Sequence, residues 1–463
     1  MRNSRELSVI VLAAGLGTRM KSSVSKVLHK LNRRYMIDYV LDTVQKLKPD
    51  NTVIVAGRHN IKELKEIFPT CTVALQSRPL GTAHAVISGV KKIGNFQGDI
   101  LVLNGDTPLV TPDTIRAFIT RHRRAGNHLS IISFIAQNPT GYGRIIRDKR
   151  NRPLLIREER NATDAERAIR EVNSGVYLFS KETVSLLKRI KKNPLKGEYY
   201  LTDILEIANK SGYRCGVYPI GQEEEFLGIN TKDELLQAQR RLRLRVVRYW
   251  LDRDVSFIDE ERVYISPDAV IGAGTTLYPD VVIEGNSRIG ENCVIYPNVR
   301  ITDSQIGDSV LIKDSTVVES SVIGSDVVVG PFARIRPGTE IKKSARIGNF
   351  VEIKASVIGE GTKAQHLSYI GDAEVGENVN VGAGTITCNY DGERKHKTII
   401  DKEVFIGSDS QLIAPVRVGR GAYIGAGSTI TDDVPAYSLA LSRVRQRNIK
   451  GWVKRRKKKK KRC

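Results

Sequence analysis

Hydrophobic positions in this chain follow two rhythms, and the change between them falls near residue 250. Over the first 230 residues, short apolar, β-branched runs (9–12, 52–56, 100–103, 129–134) alternate with segments of helical spacing such as 113–124. Strands interleaved with helices predict a mainly parallel sheet covered on both faces, a fold that binds ligands beyond the carboxyl ends of its strands. Gly15 and Asp106 fall at two such ends. Residues 233–252 then set Leu235, Leu236, Leu242, Val246, Val247 and Trp250 at helical spacing among arginines, which predicts one rigid connecting helix.

Beyond it the period shortens. Ile-Gly or Val-Gly pairs begin at residues 271, 289, 306, 323, 329, 347, 358, 370, 375, 381, 406, 418 and 424, many of them spaced within one residue of a multiple of six. No helix carries that period. It is the repeat of a β-helix, in which each turn stacks its aliphatic side chain on the turn below. The gap between 381 and 406 holds Asn389-Tyr-Asp-Gly-Glu-Arg-Lys-His-Lys397, a polar insertion too irregular to continue a coil. Insertions on solenoids collect on one face and often carry function.

Composition narrows the class. The 463 residues contain no apolar run approaching the ~20 residues of a membrane span, and the first apolar stretch is too short for a signal-peptide core, so a cytoplasmic protein is expected. Five scattered cysteines (Cys71, Cys215, Cys293, Cys388, Cys463) without a Cys-x-x-Cys pair fit reduced thiols better than a disulfide framework or zinc site. The net charge of +23 invites a nucleic-acid reading, yet thirteen Lys or Arg and no acid fall between Arg443 and Cys463, so more than half the excess is a tail. Such a run reads as a solvated, disordered appendage making only weak polyanion contacts, with no specific nucleic-acid partner, since no interleaved aromatics support base stacking.

Candidate chemistry begins at Leu12-Ala-Ala-Gly-Leu-Gly-Thr-Arg-Met20 and Lys26. An apolar strand runs into a small glycine-bearing turn with two cations. Small residues let backbone N–H groups approach phosphate oxygens, a following helix can present its positive end, and Arg19 and Lys26 neutralise charge. Met20 stands where a Rossmann fingerprint needs glycine or alanine, and no Gly-Lys-Ser/Thr follows as in a P-loop.

With further segments in view, the chain resembles the bifunctional bacterial N-acetylglucosamine-1-phosphate uridyltransferase/glucosamine-1-phosphate N-acetyltransferase family over nearly its full length. The resemblance rests on the 12–20 loop, with Ser25 replacing proline ahead of Lys26-Val-Leu-His29, and on Gln76, Leu80-Gly81-Thr82, Gly105-Asp106-x-Pro108-Leu109, Pro139-Thr-Gly-Tyr-Gly-Arg144, Glu198-Tyr-Tyr-Leu-Thr-Asp203 and Gly228-x-Asn230. The second half matches more densely through Gly330-Pro-Phe-Ala-Arg-x-Arg-Pro-Gly338, Gly348-Asn-Phe-Val-Glu352, His366-Leu-x-Tyr369-x-Gly-Asp-Ala-Glu374 and Gly382-Ala-Gly-Thr-Ile-Thr-Cys-Asn-Tyr-Asp-Gly392. Asn104, where the family usually has an aromatic, and Glu159-Arg160-Asn161, where it favours a basic residue and then Lys-Asp, depart from the pattern.

For the first half the resemblance implies attack by N-acetylglucosamine 1-phosphate on the α-phosphorus of UTP. Arg19 and Lys26 would hold the triphosphate, and Asp106 and Asn230 would ligate Mg2+. Leu12, Ala13 and Gly15 would line the nucleotide, Gln76, Gly81 and Thr82 would read the uracil edge, and Gly143, Glu158, Asn173 and Thr202 the sugar. For the second half it implies acetyl transfer from acetyl-CoA to the amine of glucosamine 1-phosphate. An ammonium cannot attack a thioester, so a base is required, and an unperturbed imidazole, with pKa ~6.5, suits the task at His366. Glu352 is expected to fix its tautomer or raise its basicity. Arg336, Lys354, Tyr369, Asn380 and Lys395 would bind the sugar phosphate, Asn389 and the Ala383 N–H would polarise the thioester, and Ser408, Ala426 and Arg443 would contact the coenzyme. Tyr390 would join the acetyl-CoA-binding residues and is expected to reach a neighbouring copy in a homotrimer.

The expected architecture is α/β: a Rossmann-like nucleotidyltransferase domain with a mixed, mainly parallel sheet (1–230), a linker helix (231–252), a left-handed parallel β-helix of hexapeptide repeats (253–437), and a C-terminal segment with the basic tail (438–463). Two other readings compete. One is a single-activity nucleotidyltransferase whose β-helix serves assembly alone. The other is an RNA- or membrane-binding scaffold driven by the tail.

Overall fold

The computed structural model describes residues 6–22, 24–194 and 197–460. It forms two compact units, Met1–Leu242 and Arg243–Cys463.

In the first unit, β1 (Leu7–Ala13) lies between β2 (Asn51–Gly57) and β4 (Asp99–Asn104), parallel to both, and β3 (Thr72–Gln76) extends the parallel set beyond β2. Beyond β4 the order continues through β8 (Glu171–Ser180) to β5 (Leu129–Ile135) and β9 (Cys215–Pro219), with β8 antiparallel to both neighbours. The short strands β6 (Arg144–Arg147) and β7 (Pro153–Arg157) attach through β8. Alternation puts Val9, Val11, Ile54, Leu101 and Leu103 in one core and Ile10, Val53, Val55, Ile100 and Val102 in another, because successive side chains leave opposite faces. A strand apolar on both faces must be covered twice, which is why the run at residues 9–12 is continuous. Helix α1 (Pro112–Ala125) shows the local signals: the Thr111 hydroxyl accepts from the Thr114 N–H, Pro112 opens the first turn, and Gly126 closes it at φ 61°.

The second unit is a left-handed parallel β-helix with three faces. One inward column runs Ile271, Ile289, Ile306, Ile323, Ile341, Ile358, Val375, Ile400, Val418, each residue pairing with the next. The others run through Ile265, Ile283 and Ile301 and through Leu277, Ile295 and Ile312. Nearly every column residue is buried in one continuous core. Glycine follows the aliphatic residue because neighbouring coils nearly touch there: a Cβ on Gly290 would sit 2.6 Å from the Gly307 carbonyl carbon, and one on Gly307 would sit 2.6 Å from the Ser325 nitrogen. The bends use left-handed residues, mostly Asn, Asp and Ser, which tolerate positive φ. The step between stacked residues, 17 or 18 elsewhere in the first column, is 25 from Val375 to Ile400, and the insertion at 389–397 occupies the excess.

Helix α2 (Lys232–Leu251) is the arginine-rich helix expected there, and its residues fall in both units. The basic run, expected to be disordered, instead forms an α-helix at Trp452–Lys460, while Lys461, Arg462 and Cys463 lie outside the described residues. Cys71, Cys215, Cys293 and Cys388 are free thiols. Among the described residues, no helix is long and apolar enough to cross a membrane.

Candidate active sites

In the first unit, residues at the carboxyl ends of β1, β3 and β4 open onto a cleft of about 510 Å³, within the ordinary range for a small-molecule site. Leu12, Gly15, Gln76, Gly81, Thr82, Asp106 and Glu158 line it, joined by Ala14, Leu16, Glu198 and Tyr200, which the motif reading did not assign. A Cβ on Gly15 would meet nothing within 4 Å, so the turn stands open to a ligand. Gly17, at φ 63°, packs its α-carbon against Lys26, where an added Cβ would come within 2.7 Å of the lysine's own. Gly81, at φ 99°, lies against Tyr199, whose carbonyl oxygen a Cβ would approach to 2.5 Å. One expectation fails: no long helix follows the turn. Two short 3-10 segments, Thr18–Met20 and Lys26–Leu28, stand there, and the first α-helix begins only at Met36. Side-chain cations therefore carry the charge that a helix terminus was expected to share.

Those cations converge. The buried Lys26 ammonium donates to the Asp106 carboxylate and, at 2.7 Å, to the Asn230 amide oxygen, which also accepts from Arg19 at 2.8 Å. The two expected metal ligands thus already point their oxygens at one cation. Ser25, in place of proline, is buried and accepts from Asn60 at 2.9 Å. Gln76 donates to the Gly81 carbonyl at 3.0 Å, and the Thr202 hydroxyl donates to Glu158 at 2.8 Å. Asn173 donates to the Tyr177 hydroxyl at 2.9 Å and lies beside Gly143. The Ala13 side chain does not reach the cleft: it faces the opposite core, and its carbonyl accepts from Asn60. The two departures also find places. The Asn104 amide lies over Gly175, and Glu159 pairs at 2.6 Å with Arg144, a guanidinium only 1% exposed, while accepting from the Gly141 N–H. The Arg144 hydrogen bond holds the Glu159 carboxyl below the usual range despite partial desolvation.

In the second unit the candidates gather around one bend between two faces. Asn349 pairs with His366 in the next coil, and Ala383, Ser408, Ala426 and Arg443 follow at the corresponding positions, linked by Gly384 N–H to Leu367, Asp409 N–H to Ala383, Gly427 N–H to Ser408, and the Arg443 guanidinium to the Ala426 carbonyl at 2.7 Å. At ~4.8 Å per coil the stretch from His366 to Arg443 is about 19 Å long, suited to an extended ligand. On the face after the bend lie Arg336, Glu352, Lys354 and Tyr369, with Arg336 paired to Glu352 at 2.7 Å. Asn389 is buried, donating to Asp372 and, at 3.5 Å, to Tyr369, so it belongs with this cluster rather than with the strip. Lys395 is held below the usual lysine range by contact with Lys354, which outweighs the opposing charges of Asp372 and Tyr369. Asn380 sits on the face before the bend, between Lys363 and Phe405. Tyr390 projects from the insertion, its hydroxyl donating to the Gly392 carbonyl.

The expected partner of His366 is corrected. Glu352 is engaged by Arg336 and stands beside Tyr369, whereas the His366 Nδ1 lies 3.1 Å from the Asn349 amide oxygen. An oxygen there requires Nδ1 to carry the proton, leaving the Nε2 lone pair free. Asn349 lies inside the Gly348-Asn-Phe-Val-Glu352 segment, and a step of 17 residues, the coil length, would have placed it under His366.

Comparison with known proteins agrees with this division. Residues 9–175 match the MobA-like NTP transferase domain, 249–353 the EIF2B subunit epsilon LbH domain, and 397–432 the bacterial transferase hexapeptide (six repeats). The chain is 50% identical to the bifunctional protein GlmU of Thermodesulfovibrio yellowstonii, covering 98% of this chain and 100% of that one. Similar relatives carry the same name in Geobacillus thermodenitrificans (45%, covering 98% of each chain) and Geotalea uraniireducens (42%, covering 96% and 98%). With a cation-bearing cleft in one unit, a histidine-bearing bend in the other and this identity from end to end, the chain belongs to the bifunctional GlmU family, in which a uridyltransferase and a glucosamine-1-phosphate acetyltransferase share one polypeptide.

Proposed function

We propose that the cleft at Lys26 performs the uridylyl transfer and the bend at His366 the acetyl transfer, in succession on one sugar. The observation that carries this reading is the pair of separate polar constellations, one concentrating cations and hard oxygens, the other exposing an oriented imidazole.

In the cleft, a phosphate oxygen of N-acetylglucosamine 1-phosphate attacks the α-phosphorus of UTP, the α–β bond breaks and pyrophosphate leaves. The task is positioning and charge neutralisation. Arg19 and Lys26 hold the triphosphate, Gln76 and the Gly81–Thr82 turn face the base, and Glu158, Asn173 and Thr202 the sugar. Asp106 and Asn230 offer oxygen donors of the kind Mg2+ prefers, and the Lys26 ammonium held by both supports a pair suited to positive charge. Mg2+ bound there supplies charge neutralisation to the phosphates.

At the bend, the His366 Nε2 takes a proton from the glucosamine 1-phosphate ammonium, the freed amine attacks the thioester carbonyl, and the coenzyme leaves as thiol. Arg336, Lys354 and Lys395 face the sugar phosphate, and the coenzyme lies along the strip from Ala383 to Arg443. These groups lie around a convex bend, which cannot enclose a substrate alone. At the same bend Phe332, Phe350 and Leu367 are 51%, 56% and 63% exposed at positive φ, an unusual conformation for bulky residues. A second copy seated there covers the apolar ladder and completes the site, and the trimer that the family resemblance implies would close such contacts into a ring in which Tyr390 reaches a neighbour. Free thiols support a cytoplasmic setting. The basic C-terminal helix makes weak, salt-sensitive polyanion contacts.

Single-site variants test the division. With each reaction assayed on its own substrates, N-acetylglucosamine 1-phosphate and UTP for pyrophosphate and glucosamine 1-phosphate and acetyl-CoA for thiol, Lys26→Ala is expected to lower pyrophosphate release at least ~100-fold, on the scale of lost transition-state electrostatics, while thiol release continues; His366→Ala gives the reverse. A variant that stops both reactions, or neither, contradicts the assignment.

A further inference from the structure

We propose that His84 is a positioning residue of the nucleotide site: its Nδ1 lone pair, together with the Gly81 carbonyl, takes up both N–H groups of the Gln76 amide and leaves the amide oxygen to meet the N3–H edge of uracil. The inference rests on the uridyltransferase reading above, in which Gln76 faces the base, and goes beyond it, since neither the motif reading nor the comparisons give His84 a role.

Gln76 ends β3 at the wall of the cleft and is only 6% exposed, so fixed neighbours must satisfy its amide. Its Nε2 donates to the Gly81 carbonyl at 3.0 Å and lies 3.2 Å from the His84 Nδ1. A carbonyl only accepts, which fixes the nitrogen at that end of the amide. This carbonyl is also held in place. Gly81 caps the helix Thr82–Ile93, and its carbonyl accepts from the Ala85 N–H at 3.2 Å. The turn is pinned by Tyr199, whose N–H donates to the Leu80 carbonyl at 2.7 Å and whose carbonyl accepts from the Ala83 N–H at 3.1 Å. With Nε2 of Gln76 as donor, the imidazole nitrogen facing it must carry a bare lone pair. The Arg78 backbone carbonyl takes a hydrogen bond from the same ring, which assigns the one proton of a neutral imidazole to its other nitrogen.

The surroundings keep the ring neutral. His84 stands in the first turn of its helix, where the backbone dipole opposes a cation, and burial, then the Lys91 ammonium, push the imidazole below its usual range. Both amide N–H groups of Gln76 are thus spent on protein acceptors. Among the described residues nothing donates to its Oε1, and that atom is not sealed from solvent. A lone acceptor locked at the cleft wall suits the N3–H of uracil, whereas cytosine would bring a lone pair to the same place. A released amide can present either end and loses that distinction. The imidazole therefore supplies a choice between the two pyrimidines that glutamine alone does not make.

Pyrophosphate release by the full-length protein tests this, with N-acetylglucosamine 1-phosphate, Mg2+ and either UTP or CTP. His84→Phe keeps a ring and removes the acceptor. It is expected to raise KM for UTP and to lower the preference for UTP over CTP in kcat/KM, each about tenfold, the scale of one hydrogen bond, while kcat for UTP changes much less and thiol release stays unchanged. His84→Asn, whose side-chain oxygen can stand near the Nδ1 position, should restore most of the preference. In a Gln76→Ala background His84→Phe should cost nothing further, because it acts only through that amide. Wild-type KM and preference in His84→Phe, a His84→Asn enzyme as poor as His84→Phe, or equal losses with and without Gln76 overturn the proposal. Should His84→Phe not fold, Gln76→Glu decides. The carboxylate keeps an oxygen for the base but turns its other oxygen on two acceptors, so KM for UTP should rise at least ~10-fold; an unchanged KM overturns the proposal. A wild-type protein that releases no pyrophosphate, or a Gln76→Ala enzyme with unchanged KM for UTP, defeats the reading of the cleft itself, and the role of His84 with it.

Discussion

At the residue scale, function in this chain depends on which oxygen faces which nitrogen. Lys26, Asp106 and Asn230 are far apart in sequence and meet within hydrogen-bond distance, a convergence visible beforehand only through family motifs. The acid expected to serve His366 illustrates the limit of such motifs. Glu352 and Asn349 share one short segment, and the carboxylate is the more obvious orienting group, yet coil register assigns Asn349 to the imidazole and Glu352 to Arg336. Asn349→Ala should therefore lower kcat for acetyl transfer about tenfold, the scale of losing a supporting partner, and displace the acidic limb of the pH–rate profile, whereas Glu352→Gln should chiefly raise KM for the sugar phosphate. A profile that moves with Glu352→Gln alone restores the original expectation.

A second residue-scale prediction concerns acid stability. Burial pushes the Asp99 carboxyl up, but hydrogen bonds and charges from His122 and Arg123 outweigh it and hold it below the ordinary range. A carboxylate depressed in the folded state stabilises that state fully above its unfolded pKa of ~3.9, and the stabilisation is lost as pH falls below that value and through the lower folded-state one. Glu159 and Glu171, also held low, act in the same direction. Denaturation of wild type and Asp99→Asn between pH 7 and 3 should show a shallower acid decline in the variant; equal slopes contradict the assignment.

At the element scale, the β-helix was the most legible part of the sequence, because one physical constraint repeats in every coil. The aliphatic residue fills the core and the following glycine makes room for the next coil, so the Ile-Gly pair records both. The strands of the first unit were nearly as clear, residues 100–103 falling within Asp99–Asn104 and the helix at 113–124 within Pro112–Ala125. The turn after β1 was less so: its glycines signalled a phosphate cradle, but nothing local showed that the next elements would be 3-10 turns rather than a helix. The basic tail misled in the opposite sense, since charge density alone does not prevent helix formation by Lys and Arg, which are good helix formers. The spacing argument gives a direct test. Gly307→Ala forces a Cβ to 2.6 Å of the Ser325 nitrogen and should destabilise the second unit by about 1–3 kcal/mol, while Gly15→Ala, with open space around it, should leave folding unaffected. Calorimetry that ranks the two equally contradicts the explanation of the dyad.

At the scale of the whole molecule, two folds with different rules share a chain. The sheet offers a concave cleft within a single copy. The β-helix offers a convex bend with exposed Phe332, Phe350 and Leu367, the face proposed above to be completed by a second copy. Neither exposure nor partnership can be read from a repeat period, which records what faces the core and is silent on what covers the outside. The most direct measurement is a time course with glucosamine 1-phosphate, acetyl-CoA, UTP and Mg2+ that follows thiol and pyrophosphate separately. The expected result is immediate thiol release followed, after a lag, by pyrophosphate; omitting acetyl-CoA abolishes both, and N-acetylglucosamine 1-phosphate restores pyrophosphate alone. Pyrophosphate released at full rate from glucosamine 1-phosphate without acetyl-CoA, or no thiol release at all, would contradict two successive reactions on one polypeptide.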